Sequence, residues 1–188
     1  AGFSALVIEP SAALALPILA AAQGLPPAGQ LLGSGSPAAV QPLTVRIGHV
    51  GPLSGVIAHL GKDNERGAAM AISNLNAAAL VIQGRPVRWE LVTGDDGADP
   101  RMAVDDAYKM VDAKVHGIVG HLNSGATIPA ALIYHEAGIP QITPSATNPK
   151  LTRLGYPGVF RLVADDDTLG NMLGKVAVER LKGQQIMV

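Results

Sequence analysis

The sequence predicts an α/β fold with an open, mostly parallel sheet and helices on both of its faces. Three observations carry that expectation. From residue 43 onward, short runs with strand periodicity alternate with longer runs with helical periodicity. Helix boundaries are written in the expected residue types, with Asp99 and Pro100 opening one helix and Gly138 closing another. Strands that alternate with helices form crossover units, and such units lay their strands parallel and their helices against the sheet.

The first strand is "LTVRIGHV", Leu43 to Val50, where β-branched residues alternate around Val45 and Ile47. The helix after it, "KDNERGAAMAISNLNAAA", sets Ala68, Ala69, Ile72, Leu75 and Ala79 at helical spacing and is expected to carry acidic residues in its first turn. In the second strand, "PVRWELVT", Val87, Trp89 and Leu91 alternate with Arg88 and Glu90. The second helix is "DPRMAVDDAYKMVDA", with Asp99 as N-cap and Pro100 at N1. "HGIVGH" reads as a third strand, and "GATIPAALIYHEAG" as a third helix ended by Gly138 at C′. "IPQIT" and "GVFRLV" are the fourth and fifth strands, "TLGNMLGKVAVERLKG" a further helix, and "QQIMV" a strand that has only begun. The architecture is Rossmann-like, so a ligand is expected beyond the carboxyl ends of the strands. Four loops lie there: Gly51 to Gly61, Gly94 to Asp99, Gly120 to Gly125 and Thr143 to Asn148.

Composition bounds the function. A chain of 188 residues can bury a real core, and its formal charge of −1 leaves no basic footprint for nucleic acid. Aromatics make up 3% of the residues, too few for base-stacking platforms, and without cysteine there is no disulfide or thiolate metal site. Before Arg46 the only charged residue is Glu9. "AALALPILAAA", Ala12 to Ala22, has the length of a secretory h-region and an Ala-x-Ala ending, although no Lys or Arg precedes it. "QGLPPAGQLLGSGSPAAVQP", Gln23 to Pro42, reads as a linker.

The chemistry visible in the motifs is that of binding. "GHVGPLSG" after the first strand has glycines at 48, 51 and 55, which match neither a dinucleotide fingerprint nor a P-loop. Ser124 lies near His121 and His135 but in N-S-G rather than in a nucleophile elbow. The five histidines lack metal-ligand spacing, and the clusters Asp95-Asp96, Asp105-Asp106 and Asp165-Asp166-Asp167 lack a calcium-loop pattern. Asp165 to Asp167 precede a helix and read as capping carboxylates, while His49 and His121 read as hydrogen-bonded residues at strand ends. Neither enzymatic activity, a metal nor a cofactor is expected. Ser124 reads either as the N-cap of the third helix or as a hydroxyl that supplements that helix N-terminus in holding a carboxylate. Gly125 would let an anion reach the backbone without meeting a Cβ. Ser145 and Thr147 in the next loop add hydroxyls and backbone groups beside the first set, enough to grip a small zwitterion.

The stretches "IGHVGPLSG", "GRPVRWELVTGDDGADPRMAV" and "GIVGHLNSGATIPAALIYHEAGIPQITPSATNPKLTRLGYPGVFR" carry three blocks in order: D-D-x-x-D-P, G-H-L-x-S-x-x-T and I-T-P-[SA]-A-T. From about Val45 to Val188 the chain closely resembles the periplasmic leucine/isoleucine/valine-binding proteins of ABC transporters, which have the type I periplasmic binding fold. The resemblance implies a two-lobed, hinge-closing receptor, exported to the periplasm, that hands leucine, isoleucine or valine to a membrane permease. It implies that Ser124 binds the ligand α-carboxylate, that the Ser145 carbonyl receives the α-ammonium, and that Thr147 contacts both. Ala146, Asn123 and Leu60 complete the implied ligand-binding set. Leu60 stands where the family usually has an aromatic residue, and Ala98 and Asn123 stand where some members carry a cysteine pair. The expected organisation is a signal-like and linker segment over 1–42, a ligand-binding lobe over 43–164, and over 165–188 a helix and the start of a second lobe that is truncated. A sensing domain of the same fold and a Rossmann-like enzyme are the alternative readings.

Overall fold

The computed structural model of the chain describes residues 40–183 and residue 185. The signal-like and linker segment lies outside the described residues up to residue 39, and so does the last expected strand apart from Gln185. The described chain runs β1 (Leu43–Gly51), α1 (Ala58–Ala77), β2 (Val81–Ile82), β3 (Arg85–Asp95), α2 (Pro100–Asp112), β4 (Gly117–Gly120), α3 (Ser124–Glu136), β5 (Gln141–Thr143), β6 (Val159–Arg161) and α4 (Asp166–Lys175). A 3-10 turn at Leu151–Arg153 precedes β6, and a π-helical segment at Val176–Arg180 continues α4. The six strands form one sheet in the order β2-β3-β1-β4-β5-β6. Every pairing from β3 to β6 is parallel, and β2 alone runs antiparallel, against β3.

The helix boundaries follow from local chemistry. Asp99 accepts hydrogen bonds from the amides of Arg101 and Met102, and Pro100 occupies the first helical position, where no amide is needed. Gly138 takes a positive φ of 68° after α3, a conformation that costs glycine nothing. Asp165 caps α4 through the Thr168 amide. Helix α1 departs from expectation. It begins at Ala58, in the stretch read as loop, so Asp63 and Glu65 fall in the second turn and the first turn carries no acidic residue. Tertiary packing extends it, because Gly61 seats the first turn against the Pro52 carbonyl, where a Cβ would collide. The unpredicted β2 comes from a two-residue hairpin at Gln83 and Gly84, whose φ values of 51° and 75° are both positive as a type I′ turn requires.

The faces of the sheet differ. On one, α2 and α3 pack over Val50 and Ile118, and the small residues Ala103, Ala107, Ala126 and Ala130 let the helices approach around Met110 and Tyr134. On the other, α1 covers β1 and β3. Among the described residues no helix covers this second face over β4 to β6, where Ile47, Val119, Ile142 and Phe160 border a groove of about 270 Å³. Phe160 is 52% exposed there. Parallel sheets are ordinarily buried on both faces. Helix α4 contains no buried residue and shows Leu169, Met172 and Leu173 to solvent.

His49 of β1 is buried on the α1 face and its Nδ1 donates to the Val119 carbonyl at 3.0 Å. Burial lowers its pKa from the ordinary value, outweighing the Val119 carbonyl and the Glu65 carboxylate, which favour the charged ring. The folded state therefore prefers neutral His49, and the unfolded state binds the proton first as pH falls. Stability from this residue is complete above the unfolded pKa of about 6.5 and is lost as pH drops toward the lower folded value. Thermal unfolding from neutral pH to about pH 5 should show this acid slope, at most about 1.4 kcal/mol per pH unit, and His49→Gln should flatten it. Equal slopes in both proteins would remove His49 as its source.

Candidate functional site

The carboxyl ends of β1, β3, β4 and β5 bring four loops together, and a set of buried side chains holds them. Asp95, the last residue of β3, accepts the amides of Leu53 (2.8 Å), Ser54 (3.1 Å) and Gly97 (3.0 Å) through one oxygen, which ties the loop after β1 to the loop after β3. Partial burial opposes its ionisation, but hydrogen bonds from the Ser54 hydroxyl and the Gly97, Leu53 and Ser54 amides outweigh it and hold the carboxyl below the usual aspartate range.

Beneath it, Asp96, His121 and Tyr134 form a fully buried chain. His121 Nδ1 lies 2.7 Å from Asp96 Oδ2, and its Nε2 lies 3.2 Å from the Tyr134 hydroxyl. Burial raises the Tyr134 pKa, helped by Asp106 and Asp96, so the phenol keeps its proton and shares a hydrogen bond with Nε2. Nδ1–H then donates to Asp96, and every polar atom of the ring has a partner. The other oxygen of Asp96 accepts the Ala98 amide at 2.9 Å, which shapes the loop leading into α2.

The backbone carbonyl of His121 accepts the hydroxyls of Thr143 at 2.8 Å and Thr127 at 3.3 Å. Gln141 Nε2 donates to the Gly120 carbonyl at 3.1 Å. Thr143 is fully buried, and its oxygen also accepts the amides of Ser145 at 3.3 Å and Ala146 at 3.0 Å. One hydroxyl therefore joins the loop after β4 to the loop after β5.

The sequence-predicted residues sit on this frame. Ser124 is not the N-cap. Asn123 holds that position with extended backbone, without a side-chain capping bond, and its carbonyl accepts the amides of Ala126 and Thr127. The reason is the chain direction out of β4, which still runs extended at Asn123 and turns helical only at Ser124. Ser124 is the first helical residue, half-buried, and its Oγ accepts the Asn148 amide at 3.1 Å. Its own O–H stays available to an incoming acceptor. A Cβ on Gly125 would meet open space, so the first turn of α3 is approachable. Ser145 is held by its side chain as well, since Asn64 Nδ2 of α1 donates to its Oγ at 2.9 Å. The Ala146 side chain lies in a core cluster with Ala131, Leu151 and Val159, so this residue offers the site only its backbone. The Thr147 carbonyl accepts the Asp166 amide at 2.9 Å, which fastens the loop to the start of α4. Leu60 is 46% exposed one turn before Asn64, on the same face of α1.

The structure thus brings Asn123 and Ser124 beside the 145–148 loop, and places Leu60 on the helix face whose Asn64 touches that loop. Sequence reasoning missed Asp95, Asp96, Thr143 and Asn64. The paired aspartates at a strand end were the available signal, but nothing local distinguishes them from a solvated cluster. His121 is hydrogen-bonded at a strand end as expected, and it is fully buried.

The family profile described as Periplasmic binding protein matches residues 44–188. The leucine-, isoleucine-, valine-, threonine- and alanine-binding protein of Pseudomonas aeruginosa is 40% identical over 145 residues, 77% of this chain and 38% of that protein. The Leu/Ile/Val-binding protein of Escherichia coli K12 is 36% identical over 144 residues, 77% of this chain and 38% of its own length. A branched-chain amino acid transporter substrate-binding protein from Streptococcus pneumoniae, solved in complex with isoleucine, superposes with a TM-score of 0.66 at 32% identity, over 74% of this chain and 39% of that one. The chain therefore spans a little over a third of the length of these relatives, and its sheet and helices match one lobe of the type I fold. No described helix is long and apolar enough to cross a membrane. With the profile covering most of the chain and relatives at this level of identity, the chain belongs to the periplasmic binding protein family.

Proposed function

We propose that residues 43–164 form the first ligand-binding lobe of an exported solute-binding protein that serves an ABC importer for branched-chain amino acids, and that residues 165–188 lead into a second lobe. The ligand is leucine, isoleucine, valine or a close relative, and the partner is a membrane permease. The N-terminus of α3 and the Ser124 hydroxyl take the α-carboxylate, the Ser145 carbonyl takes the α-ammonium, and Thr147 reaches both. Asn123 and the Ala146 backbone border these groups, and Leu60 offers an apolar surface to the side chain.

One observation carries this reading. Ser124 Oγ and the Asn148 amide are in hydrogen-bond contact, so a donor for an anion and the loop that bears the cation's acceptor stand side by side, as a zwitterion requires. The first turn of a helix supplies unpaired amides and partial positive charge to the same place. The names of the relatives support the ligand class, and the sheet face over β4 to β6 and the apolar side of α4, both uncovered among the described residues, agree with a lobe that packs against more protein.

Titration of the 188-residue chain with leucine, followed by amide NMR shifts, tests the reading. A charge-assisted hydrogen bond contributes about 1.5 to 3 kcal/mol, and two of them without full burial correspond to a Kd on the order of millimolar. Saturable shifts at Ser124 and at Ser145 to Thr147 are expected in that range. Absence of shifts at these amides at saturating leucine would refute the proposal.

A further inference from the structure

A continuous hydrogen-bonded path crosses the carboxyl edge of the sheet. It runs from Asp96 to the His121 ring, from the His121 carbonyl to the Thr143 hydroxyl, from that hydroxyl to the Ser145 amide, and from the Ser145 hydroxyl to Asn64. It links the loops after β3, β4 and β5 to helix α1. Ser145 is the residue gripped from two sides. Its amide is held from the buried side by Thr143, and its hydroxyl from the α1 side by Asn64. Neither grip uses its carbonyl. The Ser145 carbonyl lies in the planar peptide unit that carries the Ala146 amide, and Thr143 accepts that amide too, at 3.0 Å, so with the Ser145 side chain held by Asn64 little freedom is left at the carbonyl.

We infer that Thr143 and Asn64 are positioning residues that aim the Ser145 carbonyl at the ligand ammonium, and so let the lobe distinguish an α-amino acid from the corresponding carboxylic acid. This rests on the ligand reading proposed above. Thr143 is fully buried, and its hydroxyl makes three hydrogen bonds that valine, of nearly the same shape, cannot make. Asn64 is half-buried on α1, where truncation opens no core cavity. Asn64 bonds the site only through Ser145, so carboxylate capture at Ser124 stays intact when it is changed, whereas Thr143 also holds the His121 carbonyl in the loop that bears Ser124, and its role is read from the ratio of the two probes.

The probes are leucine and 4-methylpentanoate, which has the same side chain and carboxylate but no ammonium, each titrated into the 188-residue chain by amide NMR. Asn64→Ala should weaken leucine about tenfold, the loss of one charge-assisted bond, while 4-methylpentanoate changes by less than about twofold, and Thr143→Val should weaken leucine several-fold more than 4-methylpentanoate. Thr143→Ser, which keeps the hydroxyl, should restore the selectivity. Equal weakening of both probes would mark a merely structural role and overturn the inference, as would unchanged selectivity in both variants. If Thr143→Val does not fold, Asn64→Ala decides by the same ratio. Should wild type show no leucine shifts, the function proposed above fails, and the positioning claim is decided separately by hydrogen exchange. Exchange of the Ser145 and Ala146 amides should quicken severalfold in Thr143→Val and return to normal in Thr143→Ser, and unchanged exchange would overturn it.

Discussion

Gly120→Ala is expected to lose most of the stability of the lobe. Gly120 ends β4 with a φ of 143°, outside the range that L side chains adopt with ease, and a Cβ built on it lands against the Val50 carbonyl oxygen far inside van der Waals contact. The obstacle is backbone of the central strand, which is paired on both sides and cannot yield without breaking the ladder between β1 and β4. A clash of this kind belongs with the rare substitutions that cost more than about 4 kcal/mol, and a domain holds only about 5 to 15 kcal/mol in total. Urea unfolding followed by circular dichroism reads the loss directly. Gly125→Ala is the matched comparison. Its Cβ would meet nothing within 4 Å, and stability should shift by no more than about 1 kcal/mol, in the favourable direction for a helical position. A Gly120→Ala protein within about 1 kcal/mol of wild type would show that the strand can shift, contrary to the packing described.

Ser124→Ala should separate binding from folding. Because Asn123 is the N-cap, removing the Ser124 hydroxyl leaves the start of α3 intact and gives up only the bond from the half-exposed Asn148 loop. Stability should therefore fall by no more than about 1 kcal/mol. Leucine affinity should fall by about tenfold or more, since the hydroxyl is proposed to donate to a carboxylate and such bonds are worth about 1.5 to 3 kcal/mol. The same NMR titration measures it. Unchanged affinity would leave Ser124 as a partner of Asn148 and nothing more. A large loss of stability would instead return it to a structural role in the helix start.

These two positions also show how much could be read in advance. Alternating periodicity identified β1, β3 and α2 with their central residues, and Asp99-Pro100 located the start of α2 to the residue, because a capping side chain bonds amides only two and three positions away. The same locality explains Gly138 and Asp165. The start of α1 was misplaced by four residues because it depends on Gly61 meeting Pro52, a contact made by folding. The N-cap of α3 was displaced by one, since Asn and Ser are equally good caps in sequence and the exit direction of β4 chooses between them.

The candidate site divides in the same manner. The placement of Ser124, Ser145 and Thr147 at or beside the loops after strands was legible, because alternating periodicity marks where each strand ends. The residues that hold those loops were not. Asp96 and His121 are 25 positions apart, Asn64 and Ser145 are 81 apart, and each pair is joined by one hydrogen bond. By itself the sequence determined the α/β class and, β2 apart, the order of strands and helices, since periodicity and capping act over a few residues. Only the tertiary structure decided which aspartate is buried against a histidine, which threonine links two loops and which face of the sheet is left without a helix among the described residues. Burial and hydrogen-bond satisfaction are properties of residues brought together across the fold, and no local pattern records them.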